Sequence, residues 1–389
     1  MRRVSLIAGV VGAVGSVGLA ACTLDYAIQP EVPQLTTSLV LQAPLDILFV
    51  VDNSGSMREE QEALYRSLYD ERCPIVDVGN VPPRFQAPTR LLFDELSEVC
   101  GIAQLLAAVG GDWHIGVIAT DVSNWDERLS AGQDPNDEHT QAPMRGCLQG
   151  VGLIDDETPD AAGALRDAIV GLGTYGNPVE RGLDAAEIFL DPDSRRAPGC
   201  DNDLDGFLRK DGRLVVVYVS DEDDCSHRDG GGGFPDELAG EPIDAGDWHE
   251  LYTQLSPVDC YERANELQTT ASYKAGFDQL IADGRTTDVV VAVMGGVRDD
   301  GAGPIAGACI QRDDGVIDGQ CLATFGNSGN SAVCTAETNC CTADAASRYV
   351  ELARSINVDS PLGSICAEDF RTPFMPLFHV GELGGAEVF

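Results

Sequence analysis

The sequence predicts an α/β fold: a doubly wound, mostly parallel central sheet with helices on both faces. Three observations predict it. Residues 45–51 (LDILFVV), 213–219 (RLVVVYV) and 288–294 (DVVVAVM) are nearly unbroken apolar runs rich in Val and Ile, as strands covered on both faces are. Segments with helical spacing of apolar residues separate these runs, and that alternation implies crossover connections and parallel pairing. The first two runs each end in a carboxylate, Asp52 and Asp221. Two buried strands that deliver acids to one sheet edge are hard to explain by packing alone, and in open sheets of this class ligands sit at the carboxyl edge.

Taken in order, the strand at 45–51 leads into Asp52-Asn53-Ser54-Gly55-Ser56-Met57, where Gly55 is expected to let the backbone fold back. Leu64 and Leu68 share a helical face in the polar segment that follows. Pro82-Pro83 and Gly79 interrupt the pattern, which resumes at Leu91, so an insertion is expected at about 73–88. A second strand is predicted at 113–120 and a polar loop or edge hairpin at 123–150. A helix at 161–170 ends in the Gly-rich stretch 171–177, and the next helix is expected to start near Pro178. The strand at 213–220 is followed by an insertion at about 225–258, a long helix at 259–283 and the strand at 288–294. A Cys-rich insertion at 297–341, a helix at 345–356 and a short strand at 363–366 complete the predicted domain (43–366), leaving a tail at 367–389.

Asp and Glu outnumber Lys and Arg by 64 to 25 in the 389-residue chain, for a formal charge of −39. Nucleic acid is therefore excluded as a partner class, since phosphate binding needs a basic footprint. Residues 1–22 read as a targeting segment: Arg2-Arg3, an apolar stretch rich in small residues, then Leu19-Ala20-Ala21-Cys22. That tetrad resembles a bacterial lipobox, which implies lipidation of Cys22, a tether at 23–42 and a cell-envelope location. Thr23, where an inner-membrane retention signal would have Asp, implies the outer membrane by the same resemblance. Removing Cys22 leaves 12 of the 13 Cys, an even number that in an exported chain reads as disulfides. Cys73–Cys100, Cys225–Cys260 and Cys309–Cys321 are the pairs suggested by proximity in the chain.

Asp52, Ser54 and Ser56 put a carboxylate and two hydroxyls on one short loop, a hard-oxygen set suited to Mg²⁺ or Ca²⁺. Together with the buried strand before it, this stretch resembles the first segment of the metal-ion-dependent adhesion site (MIDAS) of von Willebrand factor type A (VWA) domains. The resemblance implies that Thr174 supplies a second loop's hydroxyl and Asp221 a third loop's carboxylate. Thr120, at the end of the neighbouring strand, is the alternative to Thr174. It further implies a bound Mg²⁺ (or Ca²⁺/Mn²⁺), no catalytic residue, and an extracytoplasmic protein or glycan partner offering an acidic side chain. On this reading the chain is a non-enzymatic, envelope-anchored adhesion or protein-binding domain, attached to the membrane by its lipid.

Rival readings attach to the same residues. Ser54 and Ser56 could simply cap a helix. Asp221-Glu222-Asp223-Asp224 invites a metal-dependent hydrolase, although a solvated acidic turn accounts for all but the first of them. A structural envelope lipoprotein with a degenerate site is the third. Asp201, Asp203 and Asp205, followed by Gly206, resemble the start of a calcium loop, but position 212, where a bidentate Glu should close it, is Gly.

Overall fold

The computed structural model describes residues 44–68, 100–102, 104, 112–122, 144, 146–176, 180–191, 204–226, 267–297, 311–313, 316–318, 343, 345–365 and 370. Six strands form one sheet in the order β3-β2-β1-β4-β5-β8. Its centre is β1 (Leu45–Val51), flanked by β2 (Trp113–Ala119) and β4 (Arg213–Val219), with β5 (Asp288–Gly295) beyond β4. All of these pairings are parallel. The edges are short: β8 (Leu362–Ser364) is parallel to β5, and β3 (Ile154–Asp155) is antiparallel to β2. The fold is therefore the mixed, mostly parallel α/β sheet that the apolar runs predict.

Alternation along the central strands divides the interior into two cores. Ile47, Phe49 and Val51 of β1 and Val215, Val217 and Val219 of β4 face one side. They pack there against α1 (Arg58–Leu68), through Leu64 and Leu68, and against α2 (Ala161–Leu172). Leu48, Val50, Leu214, Val216 and Tyr218 face the other side, covered by α3 (Gly182–Leu190), α4 (Leu204–Phe207), α5 (Thr270–Ala282) and α6 (Ser347–Ile356). Both faces need apolar cover, which is why these strands read as runs and not as alternations. Fully burying each such side chain contributes about 1.5–3 kcal/mol.

Several boundaries differ from the sequence reading. The antiparallel edge strand lies at Ile154–Asp155, just beyond the expected loop or edge hairpin at 123–150, of which residues 144 and 146–150 are described and are not strand. Leu267, Gln268 and Thr269 are not helical, so α5 begins at Thr270 and does not run unbroken from 259. Arg181 stands at the N-cap position of α3 with no side-chain capping bond, and the helix starts at Gly182, four residues after Pro178. Within the expected Cys-rich insertion, β6 (Gln311–Asp313) and β7 (Val316–Asp318) pair antiparallel as a separate two-stranded sheet. Cys100, Cys147 and Cys225 are disulfide-bonded. Cys73, Cys260, Cys309 and Cys321 lie outside the described residues, as do the targeting segment with Cys22, the tether and most of the other expected insertions. Among the described residues no helix is long and apolar enough to cross a membrane.

Candidate metal centre

Strand register builds the site. Val51 of β1 lies level with Ala119 of β2 and with Val219 of β4, and Val219 lies level with Met294 of β5. The ladder continues one residue further. Thr120 N–H donates to Val51 O (3.1 Å), Asp52 N–H to Val219 O (2.9 Å) and Ser220 N–H to Met294 O (3.0 Å). Thr120, Asp52 and Ser220 therefore stand side by side at the carboxyl edge, all at most 1% exposed.

Asp52 sits in the middle of that row. Its Oδ1 accepts from Ser54 N–H (2.7 Å) and its Oδ2 from the Ser220 hydroxyl (2.7 Å). Ser54 and Ser56 share a hydrogen bond between their hydroxyls (2.9 Å), and Ser56 Oγ donates to Asp221 Oδ1 (3.3 Å). The two serines thus bridge from Asp52 toward Asp221, which is not the helix-capping role. Gly55 is not forced: its φ is not left-handed, and a Cβ there would meet only Thr174 O, at 3.9 Å.

The loop after α2 closes onto this one. Gly173 ends α2 with φ 64°, and Gly176 N–H donates to Asn53 O (2.8 Å). A Cβ on Gly176 would lie 2.4 Å from Asn53 Oδ1, so glycine sets the close approach at this point. Gln61 staples both loops, donating to Asp52 O and to Gly173 O (2.9 Å each). Thr174, half-buried, brings its backbone carbonyl toward Gly55.

Glu180, which the sequence reading missed, joins the group. It is 0% exposed, its carbonyl accepts from Cys225 N–H (2.7 Å), and its Oε2 accepts from the Thr120 hydroxyl. The hydroxyl of Thr120, the alternative ligand, is therefore engaged with another acid. Glu180 lies within hydrogen-bonding reach of the Asp52 carboxyl. Its Oε1 is buried with no hydrogen-bond partner among the described residues. The only sequence signal for it was an acid just ahead of an apolar helix, which usually marks an exposed first turn.

The electrostatics are those of acids facing acids. Burial raises the Asp52 pKa, against the Ser54 amide and the Ser220 hydroxyl. Burial and then the Asp52 and Glu222 charges push Glu180 well above the usual carboxylate range. Burial and then Asp52 and Glu60 do the same to Asp221. Among the described residues Asp52, Glu180 and Asp221 have no ion pair. Hydrogen bonds to a charged group contribute about 1.5–3 kcal/mol each, whereas an unpaired buried charge costs several. Two donors roughly offset Asp52; Glu180 has a donor for one oxygen alone.

The rest of the Asp221-Glu222-Asp223-Asp224 run behaves differently. The expected solvated turn is not found, because Asp223 and Asp224 are 1% and 0% exposed. Asp224 accepts from Leu183 N–H (3.0 Å), from Ser226 N–H (3.0 Å) and its hydroxyl (2.6 Å), and from Arg348 Nε (3.1 Å). Asp223 Oδ1 accepts from Arg348 N–H (3.0 Å). Burial raises Asp223 to about 7, against the nearby Arg348 amide and guanidinium. Next to it, Asp184 accepts from Arg181 Nε (2.8 Å) and Tyr273 Oη (2.5 Å). These acids clamp the loop after β4 to α3, α5 and α6, so their replacement tests folding and does not separate a hydrolase from a binding site.

Of the suggested calcium loop, Asp201 and Asp203 lie outside the described residues and Asp205 lies in the one-turn helix α4. A Cβ on Gly212 would fall 2.9 Å from Asp46 Oδ2, so there is no space for a closing glutamate.

Among the described residues the carboxylates and hydroxyls at the Asp52 edge are hard oxygen donors, and one buried acid oxygen there, Glu180 Oε1, lacks a hydrogen-bond donor. Both features fit a divalent cation of the Mg²⁺ or Ca²⁺ type. Among the described residues no group of three or more His, Cys, Asp or Glu side chains is arranged to hold a metal. A cation here would therefore draw on the serine hydroxyls and water as well as on the acids. Sequence comparison matches the chain to no protein-family model and to no curated protein.

Proposed function

We propose that this chain is a type A-like, lipid-anchored binding domain of the bacterial outer membrane that engages an extracytoplasmic protein or glycan through a divalent cation held at the Asp52 edge. One observation carries the reading: Asp52 and Asp221, both buried, converge with the Ser54 and Ser56 hydroxyls and have no cationic side chain among the described residues to neutralise them. Two buried acids in that position oppose each other's ionisation, and a bound cation would relieve the repulsion. When bound, it would supply a Lewis-acidic position for an oxygen of the partner. Asp52 and Asp221 would bring the charge, while Ser54 and Ser56 orient the loop between them. Ser220 and Gln61 fix Asp52 and its backbone so that the edge keeps its shape without the ligand.

Calorimetry with Mg²⁺ and Mn²⁺ on wild type, Asp52→Ala and Asp221→Ala, with circular dichroism as the folding control, tests this. Binding by wild type and its loss in both folded variants supports the reading, and undiminished binding by both ends it. A pull-down from envelope extract with and without chelator then tests for a cation-dependent partner. Intact-mass analysis tests acylation of Cys22.

A further inference from the structure

We propose that Glu180 is itself a ligand carboxylate of the cation site, in the place that the sequence reading gave to the Thr174 hydroxyl. The inference rests on the cation reading above and adds a third acid to it. Three observations place Glu180 there. It is fully buried immediately before α3, and the Cys225 amide pins its backbone to the loop that carries Asp221. Thr120 holds Oε2 from the strand end beside Asp52, which the β1–β2 register fixes. Oε1 is buried, has no donor and belongs to a side chain within reach of the Asp52 carboxyl. Thr120 and the Cys225 amide between them thus orient an acid whose second oxygen has no donor among the described residues, and a cation would satisfy it. Thr174, by contrast, is half-buried and brings its backbone to the loop 52–57.

The identity of the third residue changes what the site can take. With a threonine, two carboxylates balance a divalent ion, and an acidic partner side chain meets no net repulsion. With Glu180 as a ligand, its charge adds to those of Asp52 and of the nearby Asp221, and the three outweigh the ion's two without all having to touch it, so an incoming acid is opposed. The partner's oxygen is then neutral, such as a glycan hydroxyl or a peptide carbonyl, and not the acidic side chain that the family resemblance implies.

The test is titration of the full chain with Mg²⁺ and Ca²⁺ by calorimetry, alongside thermal unfolding in chelator and in saturating cation. Wild type, Glu180→Gln, Glu180→Asp, Thr174→Ala and Asp52→Asn are compared. Glu180→Gln should bind at least about tenfold more weakly, unfold in chelator no earlier than wild type, and gain less Tm from cation. A residue that merely packs would leave that gain unchanged. Glu180→Asp keeps the charge and displaces it, and should also weaken binding, which decides the matter if the Gln variant fails to fold. Thr174→Ala should stay within about threefold of wild type. Wild-type affinity in both Glu180 variants, with binding lost in Asp52→Asn, overturns the role of Glu180 and leaves the cation reading standing. No binding by wild type overturns both.

Discussion

The two ends of β1 carry the same kind of residue in opposite circumstances. Asp46, near its start, and Asp52, just past its end, are both 0% exposed, and burial raises the pKa of both. At Asp46 a cation opposes the burial: Arg209 donates from Nε to Oδ1 (2.7 Å) and from its backbone N–H to Oδ2 (2.9 Å), while His114 Nδ1 lies 3.6 Å away. Arg209 also reaches Leu45 O (2.9 Å), closing the lower edge of the sheet. At Asp52 the opposing groups are a backbone amide and a hydroxyl, and the nearby ionisable groups are further acids. The loop after β4 repeats the contrast within four residues, since Asp224 meets Arg348 and Asp221 meets Asp52 and Glu60. An acid neutralised by the protein's own arginine is part of the scaffold. An acid left beside other acids is where charge from outside can enter.

The largest effect that would break this comparison is expected at the neutralised end. Arg209→Met strands Asp46 as a buried, unpaired charge and should cost about 3–5 kcal/mol in urea unfolding. A loss under about 1 kcal/mol would mean that Asp46 is not held as an ion. At the open end, Ser220→Ala removes the donor to Asp52 Oδ2 and should cost about 1–3 kcal/mol in chelator. In an Asp52→Asn background the same change should cost less, which a double-mutant cycle would read as coupling.

Asp52→Asn alone sharpens the contrast, because it removes a charge that no cationic side chain among the described residues compensates. It should shift the chelator-treated protein by no more than about 1 kcal/mol in either direction, while abolishing any stabilisation by Mg²⁺. A loss comparable to that of Arg209→Met would show the two ends to be equivalent.

The pH profile sets buried acids against solvent for the fold as a whole. Burial and the Asp184 and Asp191 charges raise Glu187 to about 9, and burial raises Asp223 to about 7. Both folded pKa values exceed the unfolded ones, so between about pH 4 and pH 9 these two groups hold more protons in the folded chain than in the unfolded one. Stability contributed by these groups is full below the unfolded values and lost as pH rises through about 7 and then about 9. Urea midpoints in chelator should therefore fall from pH 5 to pH 9.5, and a rising profile would contradict this.

Much of this was legible in the chain itself. A run such as LVVVYV, rich in Val and alternating along the chain with helical segments, suits a strand covered on both faces of a parallel sheet, so its place in the fold was legible. Asp52 and Asp221 were legible for the same reason, since each terminates such a run. Sequence separation hid the rest. Glu180 looks like the acid of an exposed first turn, and only the packing of α3 against the β1–β2 edge buries it beside Asp52. Asp223 and Asp224 look solvated until Arg348, 124 residues beyond Asp224, arrives beneath them.

The sequence by itself therefore determined the sheet, its two apolar faces and the two strands that end in acids, because apolar periodicity and the cost of burying backbone are local properties. Tertiary structure alone decided which acids receive an arginine and which face one another. Neutralising a buried charge depends on the few ångströms between groups that the chain holds far apart until the strands fall into register.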